Sequence, residues 1–583
     1  MTWSSRRAWV RRAAVAAAAA LALGSLSVSG AEAHGGKHPS KPKPSGKPVP
    51  VRLISINDLH GNLEPPSGSS GRVSLDGTAT NTVDAGGAAY LATHVTTLQS
   101  QVKNSVLLAG GDSVGATPLI SALFHDEPTV AVLNEIGIQA SALGNHELDE
   151  GYDELLRLQR GGCHPVDGCV FTPRYDGMDF PVLAANVYLK RSGLPALRPF
   201  KVIRSGGQSI GVIGATLEGL PDVVVADGIK KLRFGDEVSA INRTSRLLQR
   251  MGVKTQIVTI HQGSTPAANT GPNGCNVNGG PGLELAENIS ANVDAIFQAH
   301  SHQQYNCLFD DPAGNPRPVI QGASFGRLLS VVDLQIDPRS HDVIRSKTVA
   351  RNEIVTRTVT PDPRVQAIID DAKTKSAPLA NRQVGQITAD MPRSASVPSG
   401  EIPLGSLIAD AQLAATVGSG AQLAITNPGG IRADLTYASS PVGEGDGVVT
   451  YGEAFSVQPF ANIMQTVTMT GAQLKTVLEQ QWRADGSKII LQISGTLTYT
   501  RDETKPIGER ASDIKVSGVP ITPETSYRVS VNNFLAGGGD GFAGFTAATD
   551  VTGGPIDLDA FTAYLTENSP VAPPPVGRIT KVG

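Results

Sequence analysis

Five short apolar runs, each ending abruptly in glycine or in polar, titratable residues, constrain this chain more than any other feature. They are "VRLISINDLHG" from Val51, "NSVLLAGGDS" from Asn104, "IQASALGNHE" from Ile138, "KTQIVTIHQG" from Lys254 and "NVDAIFQAHSHQ" from Asn292. Their length and Val/Ile/Leu content favour buried strands, and the helical patterns between them favour an α/β layered domain. At 583 residues the chain exceeds one ordinary core, so two or more domains are expected. Lys and Arg total 49 against 53 Asp and Glu, a formal charge of -4, which gives no overall pull toward a nucleic-acid polymer or a bilayer. An anionic substrate must therefore be met by local charge.

The amino terminus carries Arg6, Arg7, Arg11 and Arg12, then "AAVAAAAALALGSL", then "AEA" ending at Ala33. That order of basic, apolar and small residues is an export signal, so residues 1–33 are expected to be removed. A transmembrane anchor is the competing reading, disfavoured by the short, Ala-rich run and the polar tract behind it. "SRRAWV" also fits a twin-arginine signal. Residues 34–50, rich in Pro, Gly and Lys, read as a disordered linker. Cys163, Cys169, Cys275 and Cys307 are an even set in a chain expected outside the cell, which favours disulfides. The sequence-local pairing is 163 with 169 and 275 with 307, with connectivity left open. No apolar tail or sortase-type motif closes the chain, so a secreted protein without an integral membrane anchor is expected.

Collected, the run ends carry Asp58, His60, Asp112, Asn145, His146, His261, His300 and His302. These are hard and borderline donors suited to divalent metals. Loops at the carboxyl ends of strands in an α/β sheet converge on one crevice, so widely separated residues can share a site. Two ions about 3.5 to 4 Å apart require a shared carboxylate. Asp112 after "AGG" suits that role, because glycine lets the backbone approach closely. Each motif alone is more often a capped turn or an exposed strand end than a ligand set; their order is far more specific.

In that order, "NDLHG", "GGDSVG", "GNHELD" and "AHSHQ" resemble the calcineurin-like metallophosphoesterases, most of all their secreted bacterial 5'-nucleotidase and UDP-sugar hydrolase branch. The resemblance implies a four-layer αββα sandwich over residues 51–350 and a C-terminal α/β 5'-nucleotidase substrate-binding domain over 384–578; between them the pattern after Pro363, apolar at Val365, Ile368 and Ile369, reads as a linker helix within 351–383. It implies that Asp58, His60, Asp112 and His302 hold one metal, and that Asp112, Asn145, His261 and His300 hold the other. Zn, Mn, Co or Fe would serve. His146 becomes a catalytic group that stabilises phosphoryl charge or protonates the leaving oxygen, with Asp149 orienting its ring. Glu147 is assigned to helix N-terminal electrostatics.

Three polar, Gly-rich loops of the second half extend the resemblance: "TNPGGIRADL" from Thr426, "FSVQPFANIM" from Phe455 and "VNNFLAGGGDGF" from Val531. Aromatic residues are only 5% of the chain, so rings in polar loops stand out. Carried over by position, Phe460 and Phe534 stack on a base, Asn427 hydrogen-bonds it, Asp540 binds ribose hydroxyls and Arg432 meets phosphate. Pro428 replaces a loop glycine, Pro403 and Ser406 replace asparagines, and Gly400 stands where an arginine is often found. Loss of that arginine is expected to weaken phosphate recognition.

The function expected is hydrolysis of nucleoside 5'-monophosphates by a hydroxide activated between two metals, since bound water has its pKa lowered from 15.7 toward about 7. Cleavage of 2',3'-cyclic nucleotides or of nucleotide-sugar diphosphates at the same centre is the alternative. A non-catalytic nucleotide-binding protein would predict an interrupted ligand set, and none is interrupted here. Substrate choice, native metals and oligomeric state stay open.

Overall fold

In a computed structural model the chain is described over residues 46–583, apart from 67, 79, 225–227, 396, 440–442 and 484–485. The expected export signal and residues 34–45 lie outside the described residues. Structure begins at the strand Val49–Ile56, two residues before the first expected apolar position. It pairs antiparallel with Leu328–Ile336 and parallel with Ser105–Ala109, at the centre of a six-stranded sheet. Ala140–Ala142 and Val182–Leu183 continue that sheet in parallel, and Val349–Ile354 closes its other edge. A second six-stranded sheet runs in the order Gln304–Asp310, Pro316–Gly322, Ala295–Phe297, Thr255–His261, Gln208–Thr216, Phe200–Ser205.

Alternation along the strands decides which side chains meet. Leu53, Val106 and Leu108 of the first sheet pack on Ile210, Val212, Ile257 and Phe297 of the second. On the outer face of the first sheet, Ile54 and Leu107 pack on Leu91 and Val95 of the helix Ala88–Ser100. On the outer face of the second, Ile213 and Val258 pack on Ala240, Ile241 and Leu248 of the helix Glu237–Arg250. The layers are thus helix, sheet, sheet, helix. Each buried Val, Leu or Ile contributes roughly 1.5 to 3 kcal/mol, so the sandwich is a stiff base for the loops at its rim.

The stretch expected as a linker helix over 351–383 divides in two. "VARNEI" pairs with Leu328–Ile336 as the edge strand, and the helix is Pro363–Ala380. Asp362 caps it by accepting from the backbone N–H groups of Arg364 and Val365, with Pro363 at the first position where no N–H is needed. Val365, Ile369 and Ala372 pack on Leu63, Ala89 and Phe124 of the sandwich.

The second half holds a five-stranded sheet in the order Gln492–Ile493, Leu423–Thr426, Ser526–Asn532, Ile463–Thr470, Thr549–Ile556. Capping boxes at Thr450 with Glu453 and Thr470 with Gln473 start the helices Tyr451–Val457 and Gly471–Glu479. Leu474, Val477 and Leu478 of the latter pack on Leu423, Val467 and Val529 of the sheet. The strand Ile579–Val582 joins Leu497–Asp502 in parallel, so the fold continues past the expected end at 578. Both disulfides follow the sequence-local pairing, Cys163–Cys169 and Cys275–Cys307.

Candidate metal centre and substrate cavity

The five run ends lie at the carboxyl ends of parallel strands, three in the first sheet and two in the second. The chain turns sharply there. Asp58, His60, Asp112, His300 and His302 all take left-handed backbone conformations, with φ of 49°, 46°, 50°, 73° and 55°. Such residues cost about 1 to 3 kcal/mol each and persist only where their surroundings over-determine them. Two glycines make room. A Cβ on Gly111, at φ +90°, would come within 2.8 Å of His261 Nδ1, and one on Gly144 would come within 2.1 Å of Asp112 Oδ1.

Ligand atoms of Asp58, His60, Asp112 and His302 all lie within 4.8 Å of one another, as do those of Asp112, His261 and His300. The two groups share Asp112. His60 Nε2 and His302 Nε2 face each other at 3.1 Å, and His60 Nδ1 donates to the carbonyl of Gly115 at 2.9 Å. That donation places the ring proton on Nδ1 and leaves Nε2 as a lone pair. His261 Nδ1 likewise donates to Gly110 O at 2.9 Å, turning Nε2 toward Asp112 Oδ2 at 3.0 Å and Asn145 Oδ1 at 3.2 Å. Asn145 Oδ1 also lies 3.0 Å from His300 Nδ1. All seven predicted ligands are therefore brought together.

Burial and mutual charges set the protonation of the centre. Burial lifts the Asp58 carboxyl to about 7, with the His261 charge opposing and Asp112 adding. Burial works against a charged His261, yet the charge and hydrogen bond of Asp112 lift it to about 9. Burial, then the His261 charge, pushes His300 down to about 3. Burial also holds His60 and His302 well below the usual histidine range, so both are neutral rings. The neutral rings of His60, His300 and His302 beside the buried carboxyl groups of Asp58 and Asp112 are a donor set that divalent metals satisfy.

His146 Nδ1 sits 2.9 Å from Asp149 Oδ2. Burial lowers its pKa, but the charges of Asp149 and Asp112 and the Asp149 hydrogen bond outweigh burial and leave it raised. Glu147 departs from the first-turn role expected of it. His146–Leu148 is a single turn of 3-10 helix, and the Glu147 carboxylate instead accepts from Asp112 N at 2.9 Å, Ser113 N at 2.8 Å and Gly144 N at 2.7 Å. It clamps two strand ends together. Asn57, which sequence reasoning passed over, donates from Nδ2 to Asp58 Oδ2 at 2.7 Å and fixes that ligand.

A cavity of about 620 Å³ opens on the cluster from the second half of the chain. Asp112, Asn145, His146, His300 and His302 line one wall, and Asn427, Arg432, Phe460, Phe534 and Asp540 line the other. Phe460 stacks on His146, ring centroids 5.6 Å apart and 27° from parallel. Asn427 is held between neighbours, donating to Asp540 Oδ2 at 2.8 Å and accepting from Asn532 Nδ2 at 3.2 Å. Asp540 has φ 53° within the glycine-flanked turn, and Arg483 donates to its carbonyl. Pro428 is tolerated because it opens the short turn Pro428–Gly430, where no N–H is required.

Arg432 Nη2 reaches to 3.5 Å from His60 Nε2, and its buried Nε has no partner among the described residues. A second arginine stands beside it. Arg393 Nη1 donates to Arg432 O at 3.1 Å, and its guanidinium lies 5.5 Å from the centre of the Phe325 ring, which is 5.6 Å from that of His302. Gly400, where the resemblance places an arginine, lies instead against Ile490 and Arg501 at φ +82°. Arg393, seven residues earlier, thus brings a guanidinium near the cluster, and Gly400 does not. The signal for Arg393 was faint: one basic residue in an irregular Pro- and Ser-rich stretch.

The calcineurin-like phosphoesterase family matches residues 51–304, and the 5'-nucleotidase C-terminal domain family matches residues 383–547. The cell wall protein Lmo0130 of Listeria monocytogenes is 34% identical over 89% of this chain and 67% of its own length. Endonuclease YhcR of Bacillus subtilis is 32% identical over 95% of this chain, which spans only 42% of that relative. The crystal structure of a 5'-nucleotidase precursor from Thermus thermophilus has the same fold, with a TM-score of 0.75 at 24% identity over 92% of this chain and 99% of that one. No helix among the described residues is long and apolar enough to cross a membrane. With both halves matched and the histidine–aspartate cluster at their junction, the chain belongs to the calcineurin-like phosphoesterases that carry a 5'-nucleotidase C-terminal domain, and it is a hydrolase of phosphoric esters.

Proposed function

We propose that the chain is an exported nucleotidase that hydrolyses nucleoside 5'-monophosphates to nucleoside and phosphate at a two-metal centre. The observation that carries this reading is the single cavity shared by the ligand cluster and the two loop phenylalanines. Asp58, His60, Asp112 and His302 would hold one divalent ion, and Asp112, Asn145, His261 and His300 the other. When bound, such ions supply Lewis acidity toward phosphoryl oxygens and an activated water nucleophile.

The protein's own groups do the rest. Phe460 and Phe534 offer ring faces to a base, a contact worth about 1 to 3 kcal/mol per base in comparable stacking sites. Asp540, kept in place by Asn427, accepts from ribose hydroxyls. Arg432, whose buried Nε has no partner among the described residues, meets the phosphoryl oxygens and offsets their charge. His146, held by Asp149, delivers a proton to the departing 5'-oxygen. The basic and apolar pattern of residues 1–33 and the two disulfides support export to an oxidising compartment.

The test is phosphate release from AMP by the mature protein after exposure to Mn²⁺, Zn²⁺ or Co²⁺. Activity lost in Asp112→Asn and in chelator is the expected result. An Asp112→Asn variant as active as the parent would overturn the two-metal reading.

A further inference from the structure

The geometry points to a further metal site, apart from the centre around Asp112: His125, His164 and Asp167 hold a borderline divalent ion of the Zn²⁺ type, and Glu150 orients the His125 ring. This site stands independently of the nucleotidase reading.

The rings of His125 and His164 stack, their centroids 3.8 Å apart and 16° from parallel. Asp167 Oδ2 lies against both, 2.9 Å from His125 Nε2 and 3.1 Å from His164 Nδ1. Ligand atoms of a tetrahedral Zn²⁺, each about 2.0 to 2.2 Å from the ion, stand about 3.3 Å apart. The carboxylate oxygen is thus near that spacing from each nitrogen, and water completes the fourth position. Glu150 Oε2 meets the other nitrogen of His125, Nδ1, at 3.2 Å. Accepting the N–H there leaves Nε2 as a lone pair, the usual arrangement of a metal-bound histidine. Ligand atoms of His125, Glu150 and His164 all lie within 4.8 Å of one another.

Charge argues the same way. Asp167 N donates to His164 Nδ1 at 3.2 Å, so that nitrogen carries a lone pair. It then faces Asp167 Oδ2, another acceptor, and two acceptors 3.1 Å apart repel unless a cation lies between them. Glu150 and Asp167 bring two carboxylates together, and neither pairs with a Lys or Arg among the described residues. A divalent ion balances both.

The turns that carry these residues are fixed from within. His125 and Asp126 have left-handed backbones, with φ of 50° and 59°. The Asp126 carboxylate holds that turn, accepting from Gly115 N at 2.9 Å, Thr117 Oγ1 at 2.7 Å and Ser121 Oγ at 2.6 Å. The Cys163–Cys169 disulfide closes the loop of His164 and Asp167, and His164 and Gly168 exchange backbone hydrogen bonds of 3.1 and 3.0 Å across it. The two histidine side chains are 16% exposed and the two carboxylates about half exposed, which leaves a hydrated ion a way in.

Zinc content per chain tests the site. The mature protein, His164→Ala and Asp167→Asn are equilibrated with Zn²⁺, desalted and assayed for bound metal. Each variant is expected to hold one zinc fewer than the parent, whatever number the Asp112 centre retains. Glu150→Gln should bind that zinc about 10- to 100-fold more weakly in competition with a graded chelator. Thermal denaturation separates binding from folding. In excess chelator the parent and Asp167→Asn should share one Tm, and Zn²⁺ should raise the parent above the variant, since a ligand of the native state stabilises it. Asp167→Asn keeps the side chain's shape, so the comparison holds even where His164→Ala folds poorly. Equal zinc content in the parent and both variants would overturn the site and leave the four groups an ion-pair network. A Tm difference no larger in Zn²⁺ than in chelator would overturn it as well.

Discussion

His146 Nδ1 lies 2.9 Å from Asp149 Oδ2 and 3.1 Å from Oδ1, so both carboxylate oxygens engage one ring nitrogen of a residue that lines the cavity. Burial alone would keep this ring neutral; Asp149, then Asp112, raises its pKa above the ordinary value. A proton donor works below its pKa, so turnover should fall as pH rises through it. Asp149→Asn removes the largest charge favouring the imidazolium. Its alkaline limb in kcat against pH for AMP should therefore move to lower pH, with kcat reduced. His146→Ala should lose that limb altogether. A limb that stays in place in Asp149→Asn would remove His146 from the proton-donor role.

Glu147 is the residue whose task is least evident from its place in the chain. Its carboxylate accepts three backbone N–H groups, from Asp112, Ser113 and Gly144, and so fixes the bridging ligand against the neighbouring strand end. Glu147→Gln replaces one acceptor oxygen with a donor amide facing N–H groups. Metal affinity should fall by about 10- to 100-fold, the usual cost of losing a group that orients a ligand. Competition with a graded chelator measures this. Unchanged affinity, with only a lower Tm, would make Glu147 a fold staple and nothing more.

Arg393 holds its guanidinium near the cluster, beside Arg432 and Phe325, whereas Gly400 packs on Ile490 and Arg501. Arg393→Ala should raise KM for AMP by roughly 10- to 100-fold, the range for a lost hydrogen bond to a charged group. Gly400→Arg should not recover it. A Cβ there would come within 3.0 Å of Ile490 Cγ1 and 3.1 Å of Arg501 Nη1, at a φ of +82°. Steady-state kinetics on the first and thermal denaturation on the second test the pair; an unchanged KM in Arg393→Ala would exclude the phosphate contact.

What was legible in the sequence was whatever acts at its own position. Asp58, His60, Asp112, Asn145, His261, His300 and His302 each end an apolar run, so strand, turn and donor are readable together. The sandwich was legible for the same reason, since Leu53 and Ile54 face opposite layers by alternation alone. Glu147 was misread because its three partners lie on chain segments that only the fold brings near. Arg393 was missed because it sits in an irregular segment with no period to place it. The cluster around His125 was silent as well: His125, Glu150 and His164 meet only where three separate turns close on one another.

Outside the site, Glu503 sets how the second half responds to acid. Its Oε1 accepts from Arg501 Nη2 at 2.5 Å, Lys488 Nζ at 2.9 Å and Trp482 Nε1 at 3.3 Å. Arg501 is almost fully buried, and its other amino group donates to Ser399 O, so Glu503 supplies its one nearby carboxylate among the described residues. Burial opposes ionisation, yet the hydrogen bonds from Lys488 and Trp482 and the Arg501 charge hold Glu503 at about 2. A depressed carboxyl stabilises the fold fully above its unfolded pKa and ceases to do so as pH falls through the folded one. The stability gap between the parent and Glu503→Gln should thus be constant above pH about 5 and shrink toward zero as pH approaches about 2. Denaturant unfolding across that range measures the gap. A gap that persists undiminished at pH 2 would show that Glu503 acts through packing rather than through its charge.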